Sequence, residues 1–155
     1  MPNEKLKQFL EESQVKYVSI SHSPAFTAQE IAASAHIPGK ELAKTVIVDL
    51  DGRMAMAVLP ASFQVDLEAV KGLAGAREIR LATEEQFKNL FPGCEPGAMP
   101  PFGNLYDMPV FAAETLAEDD EIVFNAGSHT ELVRLAYADF ARLVEPKVGR
   151  FADRS

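Results

Sequence analysis

Lys44-Thr-Val-Ile-Val-Asp-Leu50, Asp51-Gly52 and Arg53-Met-Ala-Met-Ala-Val-Leu59 decide the fold. Two β-rich runs flank an Asp-Gly pair, the dipeptide favoured in type I′ turns because both central residues take positive φ. The stretch therefore predicts a β-hairpin. The first run is nearly all apolar, as expected of a central strand covered on both faces. Lys44 stands at its head, an isolated charge on an apolar strand.

Outward from the hairpin, helices and strands interleave. Residues 3–14 read as a helix with Leu6, Phe9 and Leu10 on one face, and Val15 to Ile20 alternate as a strand. Thr27-Ala-Gln-Glu30 has the pattern of a capping box, opening a helix through about Ala35 that Ile37-Pro-Gly39 ends. Asp66 to Leu73 reads as a short helix and Ala76 to Leu81 as a strand. Thr83-Glu-Glu-Gln86 repeats the capping pattern and starts a helix reaching Leu90. Phe91 to Gly103 holds four prolines and three glycines, so it is a loop, and loops of this length within a domain are commonly functional. Short strands follow near Leu105 and at Val110-Phe111. A strand from Glu121 to Asn125, a turn at Gly127, a strand from Glu131 to Leu135 and a helix from Ala138 to Leu143 complete the reading. The expectation is an α/β fold: a single compact domain, residues 1–155, with a mixed and largely antiparallel sheet flanked by helices.

Composition narrows the possibilities. A chain of 155 residues that is 47% hydrophobic and 25% charged has enough material for one ordinary globular core. Its apolar runs are too short for a membrane span, and its charged N-terminus lacks the apolar stretch of a signal peptide. Cys94 is the single cysteine, which excludes an internal disulfide and fits a cytoplasmic location. The net charge of −8 argues against DNA and against any partner needing a broad basic face. Glu114, Glu118, Asp119, Asp120 and Glu121 read as a solvated turn ahead of a strand. Beyond them Arg134, Arg142, Lys147, Arg150 and Arg154 offer a local basic edge for a few phosphates. His22 and His36 read as loop residues. With three scattered histidines and one cysteine there is no metal-ligand spacing, so neither metal nor cofactor is expected.

Three segments remain that could form a small polar pocket on a hydrophobic frame. They are Leu42-Ala-Lys44-Thr45-Val-Ile-Val, Gly97-Ala-Met-Pro-Pro101-Phe-Gly103 and Phe124-Asn-Ala-Gly-Ser-His129. In this order and spacing, over roughly residues 20 to 143, they resemble the YbaK/ProX family of aminoacyl-tRNA editing domains, which includes the insertion domain of bacterial prolyl-tRNA synthetases. The resemblance implies a barrel-like sheet and a trans-editing hydrolase that deacylates mischarged aminoacyl-tRNA at the tRNA 3′ end, with a small amino acid such as alanine as the acyl group. It also implies roles. Lys44 anchors the terminal nucleotide and orients the ester. Gly97 and Pro101, with Phe102 and Gly103 beside them, form the loop over the aminoacyl group. Gly127, Ser128 and His129 form the facing turn, with His129 a catalytic candidate. A synthetase or elongation factor could deliver the substrate.

The chemistry suits these residue types. One methylene contributes only about 1–3 kcal/mol of discrimination, so a second, hydrolytic site is needed where synthesis cannot discriminate. An aminoacyl ester is already activated, and its hydrolysis needs positioning, an oxyanion donor and one oriented water. Lys44 offers a fixed positive point, and glycine-rich backbone can approach closely with its amides. A ribose hydroxyl of the substrate would help to activate the water. Other readings compete. Lys44 could be a solvated strand-end lysine, and His129 a turn residue bonded to backbone. The domain could be a non-catalytic tRNA- or synthetase-binding module. Cys94 paired with His129 would make a thiol hydrolase.

Overall fold

The structure, a computed structural model, describes residues 4–21, 42–87, 89–91, 94–95, 98–118, 120–128 and 130–153. The expected capping box at Thr27–Glu30 and its helix lie outside them, as do His22, His36, Gly97, Asp119, His129 and Arg154. The described elements run α1 (Glu4–Glu12), β1 (Tyr17–Ser21), β2 (Ala43–Leu50), β3 (Arg53–Pro60), β4 (Gln64–Val65), α2 (Leu67–Ala74), β5 (Ile79–Leu81) and α3 (Glu84–Phe87). After the loop come β6 (Val110–Ala113), β7 (Glu121–Ser128), β8 (Glu131–Ala136), α4 (Tyr137–Val144), β9 (Lys147–Gly149) and β10 (Ala152–Asp153).

The hairpin forms as expected. Leu50 pairs with Arg53, so the loop is two residues, and Asp51 (φ 53°) and Gly52 (φ 89°) both take positive φ. Three carboxylate bonds fix the tip: Gly52 N donates to Asp49 Oδ1 at 2.6 Å, and Glu78 N and Arg77 N donate to Asp51 Oδ1 and Oδ2 at 2.8 and 3.1 Å. The strands join in a five-stranded sheet of order β5-β2-β3-β6-β9 and a three-stranded sheet β1-β8-β7, with β10 paired to β4. The pairs β3–β6 and β6–β9 are parallel and the rest are antiparallel. The sheet is thus mixed and largely antiparallel. Among the described residues it is not a closed barrel. The two larger sheets meet at one parallel bridge, Leu42 to Val123.

Two buried clusters cover the faces of the five-stranded sheet. On the inner side Ile47, Met56 and Val58 pack with Leu6, Leu10, Phe102, Phe124 and Phe140. On the outer side Val48, Ala55, Ala57 and Leu59 pack with Val70, Phe111 and Phe151. Alternate residues of β2 and β3 enter opposite clusters, so both strands are central. Burying one such aliphatic side chain is worth about 1.5–3 kcal/mol. Buried Glu131 fastens the rim, accepting from Lys7 Nζ at 2.8 Å and Ser19 Oγ at 2.7 Å.

Several expectations change. Leu105 belongs to no strand; Gly103–Leu105 is a 3₁₀ turn, closed by Leu105 N to Phe102 O at 2.9 Å. The helix after Thr83 stops at Phe87, although its capping box forms: Thr83 N donates to Gln86 Oε1 at 2.8 Å and Gln86 N to Thr83 Oγ1 at 3.3 Å. Strands β4, β9 and β10 were not visible in the sequence because runs of two or three residues carry no period. The acidic run does precede β7, with a 3₁₀ turn at Glu114–Glu118.

Gly103 is a packing constraint. A Cβ there would stand 2.5 Å from the backbone oxygen of Met108 and 2.5 Å from Val110 Cγ2. Gly103→Ala should therefore lower stability by about 1–3 kcal/mol through overpacking. At Gly72 in α2 a Cβ meets nothing within 4 Å, so Gly72→Ala should add about 0.4–1 kcal/mol. Urea unfolding of both variants checks the pair.

Candidate functional site

Lys44 sits where β2 changes neighbours. β3 pairs along one whole edge, from Ala43–Pro60 to Leu50–Arg53. On the other edge β5 covers Val48 to Leu50, and Leu42 bridges Val123 of β7. Between these contacts, by Lys44 and Val46, lies a cavity of about 270 Å³ lined by Lys44, Val46, Gln64, Val65, Leu67 and Leu81. Four of those residues are apolar, and among the described residues no carboxylate pairs with Lys44. Burial accordingly holds the Lys44 ammonium below the ordinary lysine range, since a charge is poorly solvated against hydrocarbon.

The Pro/Gly loop and the 124–129 segment are joined directly. Glu95 N donates to Gly127 O at 2.8 Å, and Gly127 N donates to Ala98 O at 2.8 Å. The loop thereby clasps Gly127, which holds φ 93° beside an irregularity in the β7–β8 register between Asn125 and Ser128. The predicted turn at Gly127 is thus the end of β7, whose strand runs on to Ser128. Ser128 is 6% exposed and its hydroxyl is committed locally: it accepts from Thr130 N at 3.1 Å and bonds Thr130 Oγ1 at 2.9 Å.

Pro101 is buried, and Phe102 lies deeper than a substrate-contacting ring would. It is 0% exposed, with ring centroids 6.1, 5.5 and 5.7 Å from those of Phe9, Phe124 and Phe140. It anchors the loop in the core. Cys94 is half-buried, with Sγ 3.6 Å from the Tyr106 hydroxyl.

Strand alternation sorts the site by face. Phe124 and Ala126 enter the inner cluster with Ala43 and Ile47. Val123 and Asn125 therefore point to the outer face, as do Leu42, Lys44 and Val46 across the bridge. Lys44 and Asn125 stand two residues beyond Leu42 and Val123 on their respective strands. Lys44 thus lies on the face of Asn125, and Phe102 on the other. Asn125 has a feature that sequence alone did not expose: its Oδ1 is buried without a hydrogen-bond partner among the described residues.

Other polar groups are already engaged. At the hairpin tip a cavity of about 840 Å³ includes Asp49, Asp51, Glu68, Lys71, Arg77 and Arg80 in its lining. There Arg80 pairs with Asp49 at 3.1 Å and Lys71 with Glu68 at 3.1 Å. Asp49 is held below the usual carboxylate range by Gln86 first, then by Gly52 and Arg80. The expected basic edge is dispersed: Arg142 bonds Asp139 and Arg150 bonds Glu114, while Arg134 lies mid-strand in β8 and Lys147 in β9. Among the described residues no three His, Cys, Asp or Glu side chains gather where a metal ion could sit. No helix among them is long and apolar enough to cross a membrane.

Residues 22–143 match the aminoacyl-tRNA editing domain, and the chain belongs to that family. It is 35% identical over 97 residues to the multifunctional Ser/Thr-tRNA deacylase ProXp-y of Escherichia coli strain K12, a match spanning 62% of this chain and 58% of the relative. It is 28% identical over 131 residues to a proline–tRNA ligase of Staphylococcus haemolyticus, covering 83% of this chain and 22% of that enzyme. The chain thus spans little more than half of the first relative and a fifth of the second. In fold it is similar to the crystal structure of hypothetical protein APE2540, with a TM-score of 0.86 at 20% identity over 96% of this chain and 99% of that one.

The burial of Lys44 has a stability consequence. A lysine whose folded pKa is depressed costs stability while charged; that cost is fully present below the folded pKa and disappears above the unfolded value, about 10.4. Lys44→Met should therefore melt at or above the wild-type temperature at pH 7, with the difference shrinking toward pH 10. Thermal melts at the two pH values check this.

Proposed function

We propose that this protein hydrolyses the ester of mischarged aminoacyl-tRNA, and that the cavity at Lys44 receives the aminoacylated 3′ end. The observation that carries the reading is Lys44 itself: half-buried, with no carboxylate partner among the described residues, at the head of an otherwise largely apolar cavity. A structural lysine would extend into water or pair with an acid. One held this way suits an anionic group that arrives with a ligand, such as a phosphate or the oxyanion of a tetrahedral intermediate.

In this reading water attacks the ester carbonyl, the ribose oxygen leaves, and Lys44 stabilises the charge that develops between. Backbone amides beside the clasp, within 98–103 and 124–128, serve as donors on the acyl side. The family resemblance assigns substrate contacts on that side to Gly97, Pro101, Gly127, Ser128 and His129, and Phe102 and Gly103 fix the loop. A cavity of about 270 Å³ favours a small side chain. Alanine is the first candidate; serine and threonine are the next, because the E. coli relative is named for them. Residues 1–155 act as one cytoplasmic editing unit, without a cofactor and without affinity for DNA or membrane. A synthetase or elongation factor hands over the tRNA.

Ester loss from a panel of mischarged tRNAs tests this. Lys44→Ala should lower single-turnover deacylation by about 10²-fold or more; unchanged turnover would refute the role. For the wild type the rate above the uncatalysed background should fall on an alkaline limb below the free lysine value of about 10.4, because the ammonium loses its proton early.

Cys94 contacts Tyr106 in the described structure, so Cys94→Ser should retain activity. Abolished turnover together with stoichiometric labelling by iodoacetamide would instead establish the thiol-hydrolase reading.

A further inference from the structure

Resting on the deacylase reading, the geometry points to Asn125 as a substrate-binding residue whose side-chain oxygen accepts a hydrogen bond from the α-ammonium of the aminoacyl group. Asn125 lies in β7 between Phe124 and Ala126, both of which enter the inner core, so its amide projects to the outer face. It pairs with Leu132 on β8. On its other side β2 approaches through the Leu42–Val123 bridge, and the position two residues on from that bridge is Lys44. Bridged strands lie about 5 Å apart, and Lys44 and Asn125, each two residues beyond the bridge, stand on the same face where β2 and β7 diverge.

Asn125 Oδ1 is buried and has no hydrogen-bond partner among the described residues. Folded proteins rarely leave such an oxygen unsatisfied, and where they do a ligand donor is an ordinary explanation. An aminoacylated 3′ end brings two kinds of donor here, the α-ammonium and a ribose hydroxyl. The ammonium is the better fit. It enters a site that already holds the Lys44 cation and needs an acceptor to offset that repulsion, and a hydrogen bond from a charged donor is roughly twice as strong as a neutral one. A carboxylate at this position would pair with Lys44 and occupy it. A neutral amide accepts the ammonium and leaves Lys44 available to the ester. The consequence is selectivity: the site distinguishes a free aminoacyl ester from one whose nitrogen is blocked.

The test compares single-turnover hydrolysis of alanyl-tRNA and N-acetyl-alanyl-tRNA by the wild type, Asn125→Ala and Asn125→Asp. The wild type should prefer the free ester by about tenfold or more, the worth of one charge-assisted bond. Asn125→Ala should lose that factor on the free ester alone, mainly in KM, so that the preference collapses toward one. Its melting temperature should fall little, because the side-chain oxygen has no partner to lose among the described residues. Asn125→Asp should pair with Lys44 and move the alkaline limb to higher pH. A wild-type preference retained in Asn125→Ala would overturn the assignment. So would an equal loss on both esters, which points to a ribose hydroxyl or to folding. A wild type inactive on every mischarged tRNA would sink the deacylase reading itself and this inference with it.

Discussion

The structure depends on the divided edge of β2. One strand must pair with β3 along its full length, with β5 at its end and with β7 at its start. A regular sheet would place one neighbour along that second edge. Here two strands approach it from different directions, and the gap between them is where Lys44 stands. The hairpin tip holds the far end in place: Asp49, 3% exposed, is bonded by Gly52, Arg80 and Gln86 at once. Among the described residues no such carboxylate cluster holds the Lys44 end, whose cavity is lined by side chains of α2, β4 and β5. A charge left in that setting costs stability, and function is the usual reason for a fold to carry such a cost.

The same logic explains the Pro/Gly loop. Phe91, Met99 and Phe102 belong to the inner cluster, so the loop is pinned by aromatic packing at both ends and clasps Gly127 at its middle. Its described residues are held by packing and by the Gly127 clasp without belonging to a sheet. That arrangement suits chemistry in which amide dipoles must be fixed before the substrate arrives, and for the proposed aminoacyl ester, which is already reactive, it needs no acid–base dyad.

Much of this was legible in the sequence, and what was not has physical reasons. The Asp51-Gly52 hairpin and the Thr83–Gln86 capping box are local, so their side chains announce them. Lys44 stood out because an isolated charge on an apolar run is conspicuous. Leu105 misled because an apolar residue between turns resembles a strand when its partner is unknown. Phe102 was read toward the substrate, whereas its ring completes an aromatic group drawn from α1, β7 and α4, a long-range fact that no local pattern carries. Asn125 was hidden for the converse reason. An asparagine at the end of an expected strand carries no mark of its own, and only the β2–β7 bridge and the unpartnered position of its oxygen single it out.

The most direct test of the central claim is a titration of the protein, with its lysine side chains isotopically labelled, against a non-hydrolysable amide analogue of the alanylated 3′-terminal adenosine. If the cavity at Lys44 receives the aminoacyl end, the Lys44 ammonium resonance shifts saturably while lysines far from the cavity, such as Lys16 and Lys147, do not move. A Lys44 signal unchanged at concentrations that saturate binding would contradict the account.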